Sequence, residues 1–274
     1  ITHFFNPVKI MKLCELIPGK NTSSNTLQIL KNFLENDFNK GVVHGKDTVN
    51  FIGNRIGCFM LLKGLYEGTI ARKDGLLIEQ IDALLSKPLG LPPTGLYGLI
   101  DLIGLDVMHS VGLNLDKNLP DKDFGRDFVH LPKLEQEMFN NGQLGRKSGG
   151  GFYRIKKINE NDKIKEIYDL DKKNWRSFKK YSYDKDISII FEESVEGRLA
   201  WNIMGCTLWY AAALIPEIAD DIVNVDRAMR WGFAWSKGPF ELIDMADSRK
   251  FIDKCVSENL PINGILKVLA NSDM

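Results

Sequence analysis

One stretch of this sequence is written twice. Ile81-Asp82-Ala83-Leu84-Leu85, followed by Gly95-Leu96-Tyr97-Gly98-Leu99-Ile100-Asp101, returns as Val225-Asp226-Arg227-Ala228-Met229 and then Gly238-Pro239-Phe240-Glu241-Leu242-Ile243-Asp244. The two intervals differ by one residue, so the loop of the first copy carries a single insertion. A degenerate duplication of this kind constrains the fold to a repeated unit, and the apolar spacing of three and four makes that unit helical.

Helical patterning dominates the rest of the chain. Leu27, Leu30, Phe33, Leu34 and Phe38 form an amphipathic stripe behind Asn21-Thr22-Ser23-Ser24, whose oxygens can cap a helix. Ile52, Ile56, Phe59, Met60 and Leu62 through Tyr66 predict a long helix buried on more than one side. Further helices are predicted over Glu79–Leu85, Leu96–Ile103, Val107–Leu115, Lys133–Asn140 and Arg198–Leu214, the last continued by Ile218–Ile222. Lys87-Pro88-Leu89-Gly90-Leu91-Pro92-Pro93-Thr94-Gly95 reads as a rigid loop. Residues 155–190 mix nine lysines with acids and read as a solvated connector, with Trp175, Phe178, Tyr181 and Tyr183 packing part of it on a domain surface. Strand patterns occur only at Gly41-Val42-Val43-His44 and in two short segments around Asn6-Pro7.

That first hairpin carries the candidate chemistry. Centred near Lys9, it sets His3 opposite Glu15, and cross-strand partners lie within side-chain reach. A carboxylate beside an imidazole fixes its tautomer and favours its charged form, which suits a general base. Spacing alone leaves the register open and favours the plainer reading, in which His3 is a polar residue at a ragged end and Glu15 a solvated strand residue. Asn54 and Arg55 open the long helix, where Asn54 is either a solvated helix end or part of a site. His109 and His130 have no second ligand at metal spacing. Cys14, Cys58, Cys206 and Cys255 are isolated among apolar residues, which predicts reduced core thiols and no metal.

Equal numbers of basic and acidic side chains, 36 each, give no field for nucleic acid or an anionic membrane. No apolar run approaches the roughly 20 residues a spanning helix needs. A G-x-G-x-x-G turn between strand and helix is absent, and Gly149-Gly150-Gly151 stands in the wrong order for one. The chain opens directly on a strand, as though cut from something longer.

Several strings together resemble the 3-hydroxyacyl-CoA dehydrogenases of fatty-acid β-oxidation. They are His3-Phe4-Phe5-Asn6-Pro7 with Glu15, Lys46-Asp47-Thr48-Val49-Asn50-Phe51-Ile52-Gly53-Asn54-Arg55, and Gly145-Arg146-Lys147-Ser148-Gly149-Gly150-Gly151-Phe152-Tyr153, in that order. The resemblance implies NAD as cofactor, an acyl-CoA substrate, catalytic His3, Glu15 and Asn54, and cofactor contacts from Asn6 and Lys147. It also implies a mainly α fold, with an N-terminal α/β remnant of a Rossmann-type domain followed by two tandem related helical domains. The expected spans are 1–47 for the end of the NAD-binding domain, 48–154 for the first helical domain, 155–190 for a linker and 191–274 for the second helical domain. Thr48-Val49-Asn50 and the inserted loop resemble a bacterial multifunctional branch in which an enoyl-CoA hydratase-like domain follows. The missing N-terminal NAD-binding domain is then an expected partner, the fragment by itself is expected to be inactive, and a cytoplasmic homodimer is expected. Two rivals stand beside this reading: a non-catalytic helical assembly or acyl-CoA-binding module, and a related hydroxyacid dehydrogenase.

Overall fold

The Asn6-Pro7 break ends strand β1 (Thr2–Phe4), and the chain returns antiparallel as β2 (Leu13–Leu16). Proline offers no N–H to a ladder, so the strand stops there. The turn closes where Ile10 and Met11 both donate to the Pro7 carbonyl, and the register sets His3 opposite Glu15. Ser23 caps helix α1 (Ser24–Asn36) by accepting the Thr26 N–H. Strand β3 (Gly41–His44) then adds parallel to β2, completing a sheet of order β1-β2-β3. Side chains alternate across it. Cys14, Leu16 and Val42 pack against Leu27, Leu30 and Leu34 of α1, which leaves His3, Phe5, Leu13 and Glu15 for the opposite face.

The structure is a computed structural model describing residues 1–159 and 162–271. Glu160 and Asn161 of the expected linker, and residues 272–274 of the expected second helical domain, lie outside the described residues. Two compact units emerge, one formed by residues 1–57 with 204 onward, the other by residues 58–203. Helix α2 (Gly53–Lys73) starts in the first and continues in the second. No single described helix is long and apolar enough to cross a membrane.

The second unit continues with α3 (Ile78–Leu84), α4 (Gly95–Ile103), α5 (Leu105–Asn118) and α6 (Lys133–Asn140). Asp82 of α3 is its keystone. Its carboxyl accepts the backbone N–H groups of Tyr97 at 2.7 Å and Gly98 at 3.0 Å, capping α4, and the hydroxyl of Tyr153 at 2.7 Å. Asp101, further along α4, accepts the N–H groups of Phe152 and Tyr153 at 2.8 and 2.7 Å. The glycine run is the turn that lets this happen, since a Cβ on Gly151 would fall 2.0 Å from Asp101 Oδ1.

Residues 155–190 are not a plain connector. Strands β4 (Tyr153–Lys157), β5 (Lys163–Asp169) and β6 (Asn174–Ser177) form an antiparallel meander, docked on α3 by a bidentate Arg176–Glu79 pair at 2.6 and 2.7 Å. The lysines hid the strands: Lys163 and Lys165 are exposed while Glu166 and Ile167 are buried. Helix α7 (Val195–Ala200) runs through a π turn at Trp201–Gly205 into α8 (Cys206–Ala213). Ile218–Ile222 does not continue it, because Asp221 starts a new helix by accepting the Asn224 N–H at 2.8 Å.

In the first unit α9 (Ile222–Gly232), α10 (Pro239–Ala246), α11 (Ser248–Ser257) and α12 (Ile265–Asn271) complete the fold. Asp226 of α9 accepts the Phe240 N–H at 2.8 Å at the start of α10. Phe240 and Tyr97 hold equivalent positions in the two strings, so each helix pair closes by the same contact. A Cβ on Gly95 would lie 2.5 Å from Asp82 Cβ, and one on Gly238 would lie 2.3 Å from Asp226 Cβ. Helix α9 covers the His3 face of the sheet, with the Trp231 ring against Gly41 and Gly232 against Leu13. His44 N–H donates to Asn224 Oδ1, and Lys46 N–H to the Ile218 carbonyl, both at 2.9 Å.

Burial pushes the Asp82 carboxyl up to about 7, and those of Asp101 and Asp226 up to about 6, against the pull of their donors. Their folded values stand above the unfolded one, so the stability they carry is complete below about pH 4 and is lost as pH rises through 6 to 7. Urea unfolding should show stability falling between pH 5 and pH 8, by about 2 kcal/mol for Asp82 alone. Asp82→Asn should flatten that slope; an unchanged slope contradicts a buried carboxyl that stays protonated in the fold.

Candidate active site

Glu15 is fully buried, and each of its oxygens is engaged. Oε2 lies 2.5 Å from His3 Nδ1, while Oε1 accepts the N–H groups of Gly53 at 2.8 Å and Ile52 at 3.1 Å. Those N–H groups open α2, where the helix dipole presents its positive end. One carboxylate therefore ties an edge-strand imidazole to a helix start 37 residues further along the sequence. Asn54 follows Gly53 by one position and so is set relative to His3. Its side chain is half-buried and, among the described residues, makes no hydrogen bond.

The imidazole is bracketed by aromatic rings. Phe5 meets it edge-on at 4.9 Å between centroids, Phe51 lies tilted at 5.5 Å, and Phe233 packs edge-on against Phe5 at 5.8 Å. Gly57 leaves room for this, because a Cβ there would fall 2.0 Å from Phe233 Cζ. The His3 side chain keeps 28% exposure. With Nδ1–H donated to Glu15, Nε2 presents a lone pair, the form a general base uses.

Asn50 and Phe51 adopt left-handed backbone, with φ of 61° and 53°. Such residues cost about 1–3 kcal/mol each and persist only where neighbours hold them. Arg55 is one such neighbour. Its guanidinium is 1% exposed and donates to the Val49 carbonyl at 3.3 Å and the Tyr210 hydroxyl at 2.7 Å, with Glu217 at 3.5 Å.

Asn6 is exposed on the turn after β1. Lys147 lies in the second unit, in the single turn Arg146–Ser148, where it donates to Asp106 at 2.7 Å and holds that carboxyl below its usual range. The structure thus brings His3, Glu15 and the start of α2 with Asn54 together, and gives Lys147 a partner of its own. Phe51, Arg55, Tyr210 and Phe233 escaped the sequence reading as parts of one site. Only Arg55, a charge in an apolar helix, left a trace there. All four cysteines are free and buried, with burial pushing the Cys14 thiol up to about 11, and no metal-binding cluster occurs among the described residues.

Comparison with known proteins gives this geometry a context. Residues 1–48 match the family described as 3-hydroxyacyl-CoA dehydrogenase, NAD binding domain, and residues 51–155 match the family described as 3-hydroxyacyl-CoA dehydrogenase, C-terminal domain. The chain belongs to the 3-hydroxyacyl-CoA dehydrogenase family. Within this oxidoreductase family it is 36% identical, over 97% of its length, to a Bacillus subtilis (strain 168) protein described as a probable 3-hydroxyacyl-CoA dehydrogenase. It is 36% identical, over 90% of its length, to a Rickettsia felis protein described as a fatty acid oxidation complex trifunctional enzyme. The chain spans 34% of the length of each of these relatives. A crystal structure of 3-hydroxybutyryl-CoA dehydrogenase from Escherichia coli K12 shares its fold over 98% of this chain and 69% of that one, with a TM-score of 0.68 at 18% identity. The dehydrogenase part of a multifunctional enzyme from C. elegans does so over 98% of this chain and 57% of that one, with a TM-score of 0.53 at 18% identity.

Glu15→Leu strands the buried Ile52 and Gly53 N–H groups and removes the partner of the partly exposed His3 ring, and should cost about 3 kcal/mol or more in urea unfolding. Glu15→Gln, which can still accept from the α2 N–H groups, should cost about 1 kcal/mol. Equal losses in the two variants contradict the anchoring role.

Proposed function

We propose that this chain is the catalytic-base portion of an NAD-dependent enzyme that oxidises the 3-hydroxyl of a (3S)-3-hydroxyacyl-CoA to a ketone in fatty-acid β-oxidation. The observation that carries the reading is the His3 imidazole, held at Nδ1 by a buried carboxylate and left open at Nε2. Bound NAD would supply the hydride acceptor. This chain works at the oxygen. As the C–H bond of the carbinol breaks, the hydroxyl proton passes to His3 Nε2, and Glu15 stabilises the imidazolium that results. Asn54, whose amide makes no hydrogen bond among the described residues, donates to the substrate oxygen as it becomes a carbonyl. Phe5 and Phe51 exclude water from the imidazole.

Asn6, exposed after β1, and Lys147 are assigned to the dinucleotide on the resemblance, whereas no described strand-to-helix junction carries the glycine-rich turn that holds a diphosphate. The portion of the enzyme that binds the diphosphate therefore lies outside these residues in our reading.

The aspartate caps at Asp82 and Asp226 support reading the two helix pairs as tandem related units, the second with a packing role. The Rickettsia relative, named as trifunctional, supports further activities in the same polypeptide, among which we place the enoyl-CoA hydratase-like neighbour. Four free, buried cysteines suit a cytoplasmic setting, and a homodimer belongs to the same proposal.

Full-length protein should reduce NAD with 3-hydroxyacyl-CoA and leave free hydroxy acids untouched, in an absorbance assay. His3→Ala should lower kcat by about 10²-fold or more with the fold retained by circular dichroism. Turnover of free hydroxy acids alone points to the related hydroxyacid dehydrogenase. No turnover with either substrate leaves an acyl-CoA-binding module and overturns the catalytic reading.

A further inference from the structure

Helix α8 reaches further than packing would require. Arg55 sits one residue after Asn54, and its buried guanidinium meets the Val49 carbonyl, the Tyr210 hydroxyl and, at 3.5 Å, the Glu217 carboxylate. Nη1 holds the Val49 carbonyl at 3.3 Å, just before the left-handed Asn50–Phe51 pair, and Nε holds the Tyr210 hydroxyl at 2.7 Å. Tyr210 lies on α8 and is buried to 3% exposure. The backbone of the same turn is gripped from its other end by Glu15, through the Ile52 and Gly53 N–H groups. The turn is thus clamped between a carboxylate on the sheet and a phenol on α8. It presents the Phe51 ring to the His3 imidazole and leads into Asn54 at the start of α2.

We infer that Tyr210, acting through Arg55, is a positioning residue for the His3 site, so that the α8 segment of the C-terminal helical region is part of the machinery that aligns the base and Asn54. The physical reason is the strain in the turn. Two consecutive left-handed residues, one of them a phenylalanine, relax when their restraint is released, and relaxation rotates Phe51 away from the imidazole. Glu15 by itself fixes only the last N–H groups of the turn. Val49, Asn50 and Phe51 precede them, and Arg55 is the side chain that reaches back to Val49. Tyr210 fixes where that guanidinium points. Without the phenol oxygen the Nε–H would seek another acceptor and carry the fork away from Val49.

The inference deepens the dehydrogenase reading, and two readouts keep their failures apart. The first is independent of activity. In full-length protein carrying ¹³C-labelled histidine, the His3 Cε1–H resonance senses the ring currents of Phe5 and Phe51. Tyr210→Phe should shift that resonance, because the Phe51 ring stands 5.5 Å from the imidazole. Tyr168→Phe, which removes a phenol from β5 in the other unit, should leave it in place. The second readout is kinetic. Tyr210→Phe should lower kcat by about tenfold with the KM for NAD unchanged, as a misplaced base does.

Arg55→Lys serves as a second variant should Tyr210→Phe fail to fold. Its single ammonium cannot grip Val49 and Tyr210 in the guanidinium's geometry, and it should reproduce both effects. A Tyr210→Phe protein with a lower melting temperature but an unmoved His3 resonance and unchanged kcat makes Tyr210 a packing residue and overturns the inference. If wild-type protein turns over no 3-hydroxyacyl-CoA, the functional reading fails, and the resonance shift still decides the positioning role.

Discussion

A buried carboxylate needs partners, and Glu15 has three: the His3 ring, the Ile52 N–H and the Gly53 N–H. Removing that charge from water would cost several kcal/mol without them, so the three elements that supply the donors are obliged to meet. Strand β1 brings the imidazole, β2 brings the acid, and α2 brings its positive end. The sheet register, the entry of α2 and the exposure of Nε2 are all consequences of satisfying one side chain. Each donor also has a second tie. Phe5 and Phe51 flank the ring, and Arg55 with Tyr210 restrains the turn that leads into the helix.

The two helix pairs show how a repeated unit keeps its closure while its periphery diverges. Asp82 and Asp226 each cap the next helix, and the glycine before it approaches the aspartate too closely for any side chain. Beyond that contact they part. Asp101 grips the backbone of Phe152 and Tyr153 through the glycine turn, and Tyr153 returns its hydroxyl to Asp82, so the first pair closes into a ring of hydrogen bonds. Asp244, at the position of Asp101, instead accepts from Ser248 at 3.1 Å. In the first pair the glycine motif thus serves the fold, by holding the meander against α3 and α4.

Much of this was legible in the sequence because local rules decided it. A turn centred near Lys9 offered the His3–Glu15 pairing that the strands adopt, although spacing alone left the register open, and α6 runs from Lys133 to Asn140 as its spacing predicts. The strands within 155–190 were not legible, since exposed lysines on one face and a buried Glu166 on the other disguise the alternation. Ile218–Ile222 looked helical by composition, but Asp221 caps the following helix and breaks the run. The second role of Glu15 could not be read at all. Its partners are backbone N–H groups, which carry no residue identity, and the left-handed φ of Phe51, beside an Asn50 that accepts such a φ readily, is one a phenylalanine rarely chooses. Tyr210 and Phe233 stand far along the chain from the residues they brace, and no local pattern links them.

The account stands most directly on the protonation of one ring. A ¹⁵N NMR spectrum of histidine-labelled protein at neutral pH distinguishes the two nitrogens of His3 by their shifts. A buried, charged Glu15 predicts a protonated Nδ1 with a far-downfield proton and an unprotonated Nε2. A neutral His3 carrying its proton on Nε2, with Nδ1 bare beside the carboxyl, would mean that Glu15 is the donor there and that the imidazole is not poised as a base.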